Sequence, residues 1–338
     1  MPNPLESILY QHLQKEGYLS VHDFMNLALY HPQYGYYHCQ PVFGPQGDYI
    51  TAPEITQVFG EILAIWYLDY LERLPFKPQT LAFIELGPGR GTLMADILRI
   101  FQKFPSYYQA LKVYLLEISP SLRSQQQEKL SSYPVAWVEN LESIPASEVT
   151  LILANEFFDA LPIEQYVQID GKWQPRLIGL VEGKIDFLGP VDVPIRQECP
   201  GYASFLHRIN HRLNCNPGAA LLIDYGQDTD QMSASHGDTL QALYRHHYAC
   251  PFTNIGQQDL SHAVDFGALR RLVDAKFKIS LTSQSDFLLN LGLEVRVHQL
   301  CQKAEPKDAL ALKTAAVRLV SPREMGSLFK VLALESGQ

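Results

Sequence analysis

What the chain lacks narrows the reading first. No stretch approaches the roughly 20 uninterrupted apolar residues that a membrane-spanning helix needs. The most apolar segment, Phe59 to Leu74, carries Glu61, Asp69, Glu72 and Arg73 and reads as a buried amphipathic helix. Cysteine is scarce: Cys39, Cys199, Cys215, Cys250 and Cys301 are odd in number, widely spaced and without a Cys-x-x-Cys pair. That usage argues against a disulfide framework and against a zinc ribbon. Positive charge is also short, with 27 Lys and Arg against 36 Asp and Glu and a formal net charge of -9. A broad footprint for nucleic acid, which needs clustered cations to release counterions, is therefore not expected. Met1-Pro2-Asn3-Pro4-Leu5-Glu6 shows neither a charged and apolar signal nor an Arg-rich presequence. The expectation is a cytoplasmic protein, or a mitochondrial matrix one if the source is eukaryotic.

His207, His211 and Cys215 recur every fourth residue, so a metal-binding helix face has to be weighed. No acidic partner lies between them, and Cys215 falls where Asn216-Pro217-Gly218 should end the helix. No metal is expected.

What is present is enough to build a full core: 338 residues, 46% of them hydrophobic. Leu5 to Lys15, Val21 to Tyr30 and Glu54 to Leu74 have helical spacing, while His31 to Pro53 is dense in Gly, Pro and Tyr and reads as looped. From Leu81 onward short apolar runs alternate with helices, the mark of a parallel sheet covered on both faces. The candidate strands are Leu81 to Leu86, Val113 to Ile118, Val135 to Val138, Thr150 to Ala154 and Ala219 to Ile223, with a helix at Thr92 to Phe104. Two hairpins are expected, turning at Asp170-Gly171 and Glu182-Gly183. Asp265 to Asp274 reads as a helix, and Phe329 to Leu334 as a final edge or antiparallel strand. The fold class is α/β with a doubly wound, Rossmann-like sheet. Residues 1–78 form a helical N-terminal extension and possible lid, and residues 79–338 form the main domain, with a hairpin-rich insertion at about 163–217.

Glu85-Leu86-Gly87-Pro88-Gly89-Arg90-Gly91-Thr92-Leu93 sets three glycines between a strand and a helix. There the backbone must turn sharply, a ligand can approach closely, and free helical N–H groups are available. The bland alternative is a tight connection with no ligand. A dinucleotide fold would place its third glycine where Thr92 stands and its ribose acid about 20 residues on. Here Glu117, at the end of the next strand, is the acid placed to accept from two ribose hydroxyls. Glu85, Gly87, Gly89, Arg90, Gly91 and Glu117 are the cofactor-binding candidates.

That run resembles the MidA-like methyltransferases. So do Gly47-Asp48-Tyr49-Ile50-Thr51-Ala52-Pro53-Glu54-Ile55, Asn155-Glu156-Phe157-Phe158-Asp159-Ala160-Leu161-Pro162, Ile223-Asp224-Tyr225-Gly226, Asp259-Leu260 with Val264-Asp265-Phe266, and Met325-Gly326. The resemblance covers nearly the whole chain in the family's order. It implies a class I methyltransferase fold, S-adenosylmethionine as cofactor, and an arginine of a protein substrate as acceptor. The mitochondrial branch's association with respiratory complex I assembly suggests a complex I subunit. Bacterial relatives tend to read Asp-Leu-Thr-Ala-His-Val-Asp-Phe, whereas Ser261-His262-Ala263 fills the middle here and moves the histidine by one position. His262 is given no catalytic role.

Guanidinium stays protonated and its nitrogens are poor nucleophiles, so a site that methylates it needs carboxylates to hold the fork and receive the released proton. Glu156 is the first candidate and Asp159 the second, with Asn155 to orient the substrate nitrogen or line the cofactor. The competing reading has Asn155 and Asp159 capping the turn and Glu156 pairing with a structural Arg. Asp48 and Glu54 are substrate-side candidates on the N-terminal lid, although Thr51 with Glu54 also fits a helix capping box. Arg90 either meets the cofactor's carboxylate or pairs with an acid such as Glu85. Asp224 is expected at the substrate mouth. Tyr34, Tyr36 and Tyr37 either pack a ligand or belong to a satellite core. The rival functions are a small-molecule methyltransferase of the same fold and a cofactor-binding assembly factor without turnover.

Overall fold

The computed structural model describes residues 4–39, 51–190, 192–228 and 238–337. Contacts gather the chain into two compact units, one of Met1–Ile50, Asp159–Phe205 and Asp228–Ala263, the other of Thr51–Phe158, Leu206–Gln227 and Val264–Gln338. This differs from the expected division. Residues 51–78 go with the sheet rather than with an N-terminal extension, and a second excursion, 228–263, joins the first. The sequence marks neither boundary, because both are set by which distant segments pack together.

The larger unit is built on a sheet whose main strands are β1 (Leu81–Leu86), β2 (Leu111–Leu116), β3 (Val135–Val138), β4 (Val149–Asn155), β5 (Gly218–Gln227), β6 (Lys278–Ser283) and β7 (Phe329–Ser336). Their order is β3-β2-β1-β4-β5-β7-β6. The pairs from β3 to β5 are parallel, and β7 runs antiparallel between β5 and β6. The final strand is therefore antiparallel, as expected, but internal; the edge belongs to β6. β1 and β4 are buried at every residue, which is why they read as unbroken apolar runs. The chain leaves β1 for β2 on one side and later returns to β4 on the other, so the order reverses beside β1, where open α/β sheets bind ligands.

The helix expected across Glu54 to Leu74 is divided. Thr56 is extended at φ -162 and ψ 140, and its hydroxyl accepts from Val58 N, separating Ala52–Ile55 from Gln57–Glu72. The helix after the glycine loop is Thr92–Phe101 rather than reaching Phe104. Pro105 holds Phe104 out of the helical region, at φ -121 and ψ 77.

Among the described residues, the smaller unit packs helices Pro4–Glu16 and Val21–Tyr30 with three small antiparallel sheets. Its core includes Leu5, Leu9, Phe24, Met25, Leu29, Ile178 and Leu260. Both expected hairpins form with two-residue turns, Ile169 opposite Lys172 and Val181 opposite Lys184. Their central residues, Asp170-Gly171 and Glu182-Gly183, all have positive φ, the left-handed pair that matches strand twist.

Candidate functional site

β1, β2 and β4 end level with one another, Leu86 lying opposite both Leu116 and Ala154. The residues that follow them therefore share one edge of the sheet: Gly87 to Gly91 after β1, Glu117 after β2, and Asn155 and Glu156 at the end of β4. Gly87 (φ 62), Gly89 (φ 53) and Gly91 (φ 74) all take the left-handed region, which glycine enters without steric cost. Gly91 also caps the following helix.

Two interactions brace this loop from outside. Glu54 donates nothing and accepts twice: from the Thr92 hydroxyl at 2.6 Å and from Arg90 Nη1 at 3.4 Å. This corrects two expectations. Thr51 stands at the N-cap position of Ala52–Ile55 but makes no side-chain capping bond, so no capping box forms; the Glu54 side chain is turned to the glycine loop instead. Arg90 is paired with Glu54, not with Glu85.

The second brace was not foreseen. Gln126 is fully buried, and its amide donates to Gly89 O at 2.6 Å and to Glu117 Oε2 at 3.1 Å. Its own oxygen accepts from Trp137 Nε1 at 2.8 Å. Nothing in the spacing of Gln126 signals this; a polar side chain at zero exposure becomes conspicuous only in three dimensions.

Glu117 is 6% exposed, and its other oxygen accepts from Ser119 N at 2.8 Å. Burial raises its pKa, against the pull of those hydrogen bonds. A carboxylate offers about four lone-pair sites, so two bonds within the protein leave it capacity for a ligand diol. Deeper in the sheet, burial and then the charge of Glu117 push the Glu85 carboxyl up to about 8. Glu85 Oε2 and Asn155 Oδ1 are buried and, among the described residues, have no hydrogen-bond partner. A native interior rarely leaves such acceptors unmatched. The glycine cradle, a buried acid with lone pairs to spare and two unmatched acceptors fit a nucleoside cofactor with a cationic tail, the chemistry of S-adenosylmethionine.

Across the loop, Glu156 has φ 50, unusual for a residue with a side chain. Its N–H donates to Ile223 O at 2.8 Å. Its carboxylate Oε1 accepts from Ala52 N at 3.4 Å and Asn155 Nδ2 at 3.3 Å. Asp224, expected at the substrate mouth, ends on an internal strand with its carboxylate turned to backbone amides. It is 1% exposed, and its carboxylate accepts from Phe157 N at 3.2 Å, Phe158 N at 3.0 Å and Tyr225 N at 2.9 Å. Buried on an internal strand, it serves backbone amides.

Asp48 lies outside the described residues. Asp159 falls in the smaller unit, where its carbonyl accepts from His262 N at 3.0 Å and burial pushes its carboxyl up to about 7. His262 is fully buried, with Nδ1 3.1 Å from Ala263 O, the setting of a core histidine. Tyr30 stacks on Tyr37 and Tyr36 meets Tyr37 edge-on, both at 5.4 Å, while Tyr34 stacks on His31. His207, His211 and Cys215 line one cleft of about 440 Å³. Among the described residues no group of three or more His, Cys, Asp or Glu is placed to hold a metal ion, because one ion cannot span two helical turns. Likewise, no helix among them is long and apolar enough to cross a membrane.

Comparison with known proteins agrees with this geometry. Residues 62–198 and 198–283 match the family model Methyltransf_28, described as "Putative S-adenosyl-L-methionine-dependent methyltransferase". The chain is 32% identical to the mouse protein named Protein arginine methyltransferase NDUFAF7, mitochondrial, over 98% of this chain and 84% of that one. The human protein of the same name is 30% identical, with coverage of 98% and 82%. These relatives are mitochondrial by name, which lends the cytoplasmic expectation no support. Among solved structures, a COG1565 superfamily member from Burkholderia thailandensis bound to S-adenosyl-homocysteine is 25% identical. It superposes with a TM-score of 0.80 over 99% of this chain and 94% of that one. On its sheet order, its glycine cradle and these matches, the chain belongs to the MidA-like family of S-adenosylmethionine-dependent methyltransferases.

Proposed function

We propose that this methyltransferase modifies a guanidinium nitrogen of an arginine in a protein substrate, with a respiratory complex I subunit as the first acceptor to test. The observation that carries the reading is the Glu156 carboxylate, held at the end of β4 across from the glycine loop. Relatives at about this level of identity, matched over most of their length, are named as protein arginine methyltransferases.

S-adenosylmethionine, when bound, supplies a methyl group made electrophilic by its sulfonium. Gly87, Gly89 and Gly91 let the backbone approach it, Glu117 accepts from the ribose hydroxyls, and Glu85 and Asn155 offer the buried acceptors. Arg90, already neutralised by Glu54, serves the loop first.

Glu156 accepts from guanidinium N–H groups, drawing the positive charge toward one side of the fork and leaving the far nitrogen more nucleophilic. The same carboxylate receives the proton released after transfer. Asn155 orients the Glu156 carboxylate through its side-chain nitrogen, which donates to Oε1 at 3.3 Å.

The test is incubation of the purified protein with labelled S-adenosylmethionine and a complex I subunit, with arginine-containing peptides and small amines alongside, read by mass spectrometry. Methylated arginine, lost by about a hundredfold or more in Glu156→Gln with S-adenosylhomocysteine binding retained, supports the proposal. Methylation confined to small amines supports the small-molecule alternative. Cofactor binding without turnover on any acceptor supports an assembly factor.

A further inference from the structure

Glu156 sits in the left-handed region at φ 50, which is strained for a residue with a Cβ. Such a conformation persists only where its surroundings impose it. Three consecutive amides are fixed here. Glu156 N–H extends the ladder between β4 and β5 by one step, to Ile223 O. The next two, Phe157 N–H and Phe158 N–H, converge on one oxygen, Asp224 Oδ2.

That oxygen cannot drift. Asp224 belongs to β5, which pairs with β4 on one side and β7 on the other, Asp224 lying opposite Lys330. The side chain is 1% exposed, and its second oxygen is held by Tyr225 N at 2.9 Å. Two successive amides facing one acceptor form the anion-gripping concavity described for backbone nests; here the anion is a side chain of the neighbouring strand. The turn carrying Glu156 is thereby tied to a strand paired on both sides. It is also pressed against the cofactor loop, since a Cβ at Gly87 would lie 2.8 Å from Phe157 Cδ2.

We infer that Asp224 is a positioning residue for methyl transfer: its carboxylate holds the Phe157 and Phe158 amides so that Glu156 presents its carboxylate to the acceptor beside the glycine loop. This rests on the reading of Glu156 as the acceptor's partner. In this role Asp224 acts through the two amides rather than on the acceptor itself. Its contribution is orientation, where a displacement of about 1 Å can cost about a hundredfold in rate.

Two measurements test it. In the unaltered protein, hydrogen exchange at the Phe157 and Phe158 amides is slow although both lie in a turn; exchange as fast as in an exposed loop overturns the inference, whether or not any variant folds. In Asp224→Asn, exchange at these two amides accelerates about tenfold or more, as expected for losing a charge-assisted hydrogen bond. The kcat falls about ten- to a hundredfold, while S-adenosylhomocysteine affinity stays within about threefold. Unchanged exchange and kcat overturn the inference, as does a fall in kcat matched by an equal loss of cofactor-product affinity. If the wild-type protein methylates something other than arginine, the exchange result and the kcat on that acceptor still decide the role of Asp224. Only the arginine reading then fails.

Discussion

The ring of Phe157 lies where a side chain on Gly87 would have to go: a Cβ built there would sit 2.8 Å from Phe157 Cδ2. Gly87 is also at φ 62, so a substituent is penalised twice, by backbone strain of about 1–2 kcal/mol and by displacement of the turn leading from Glu156. Gly87→Ala is expected to weaken S-adenosylhomocysteine binding by about tenfold or more while the protein stays folded. Calorimetric titration reads this directly, and unaltered affinity would show that the loop yields without consequence.

Glu117→Gln removes the charge but keeps the shape. The amide nitrogen that replaces one oxygen faces either Ser119 N–H or the Gln126 amide, both donors. Cofactor affinity should fall by about tenfold to a hundredfold, the worth of charge-assisted hydrogen bonds at roughly 1.5–3 kcal/mol. NAD should bind neither form, which titration with S-adenosylmethionine, S-adenosylhomocysteine and NAD checks.

Glu85 makes stability depend on pH. Burial, then the charge of Glu117, raises its folded value to about 8 from an ordinary 4.5. The fold therefore accommodates the neutral acid. This group opposes nothing below its unfolded value, and stability is lost as pH rises from there through the folded value. Glu85→Gln stays neutral throughout, so its advantage over the wild type in urea unfolding should grow between about pH 5 and about pH 8, reaching on the order of 4 kcal/mol. An equal difference at both ends would place the titration elsewhere.

Glu61 shows the opposite sign. Burial alone would raise its pKa, but Arg296 at 2.6 Å and Arg99 at 3.0 Å outweigh it and the value is lowered. Its contribution is present above the ordinary carboxylate value and lost as pH falls through the folded one. The three residues join helices Gln57–Glu72, Thr92–Phe101 and Leu293–Cys301. Glu61→Ala leaves two partly buried guanidinium groups without this acid and should destabilise by about 3–5 kcal/mol, seen as a lower urea midpoint at neutral pH with little change at low pH.

Legibility in the sequence followed the range of the interactions. β1, β3 and the hairpins at Asp170-Gly171 and Glu182-Gly183 were readable because each is set within a few residues, by apolar runs or by turn geometry. β6 and the helices Gln284–Asn290, Leu293–Cys301 and Pro306–Val320 were not foreseen. They are half-exposed elements with mixed faces, stabilised by packing on other helices and on the final strands rather than by a strong pattern of their own. The site shows the same division. The glycine run and the acid after β2 stood out, whereas Gln126, Phe157 and the partner of Glu54 did not, since each acts on a residue tens of positions away.

By itself the sequence determined that a ligand loop would stand between β1 and its following helix, that a doubly wound sheet would carry it, and which family's motifs run along the chain. Those follow from local backbone demands and from the period of buried side chains. Tertiary structure alone decided that Asp224 would grip the turn after β4 and that Glu54 would brace Arg90 and Thr92. It alone also joined residues 228–263 to the excursion at 159–205. The physical reason is that a buried carboxylate takes its role from the donors that reach it, and those are brought within bonding distance only when distant strands pair.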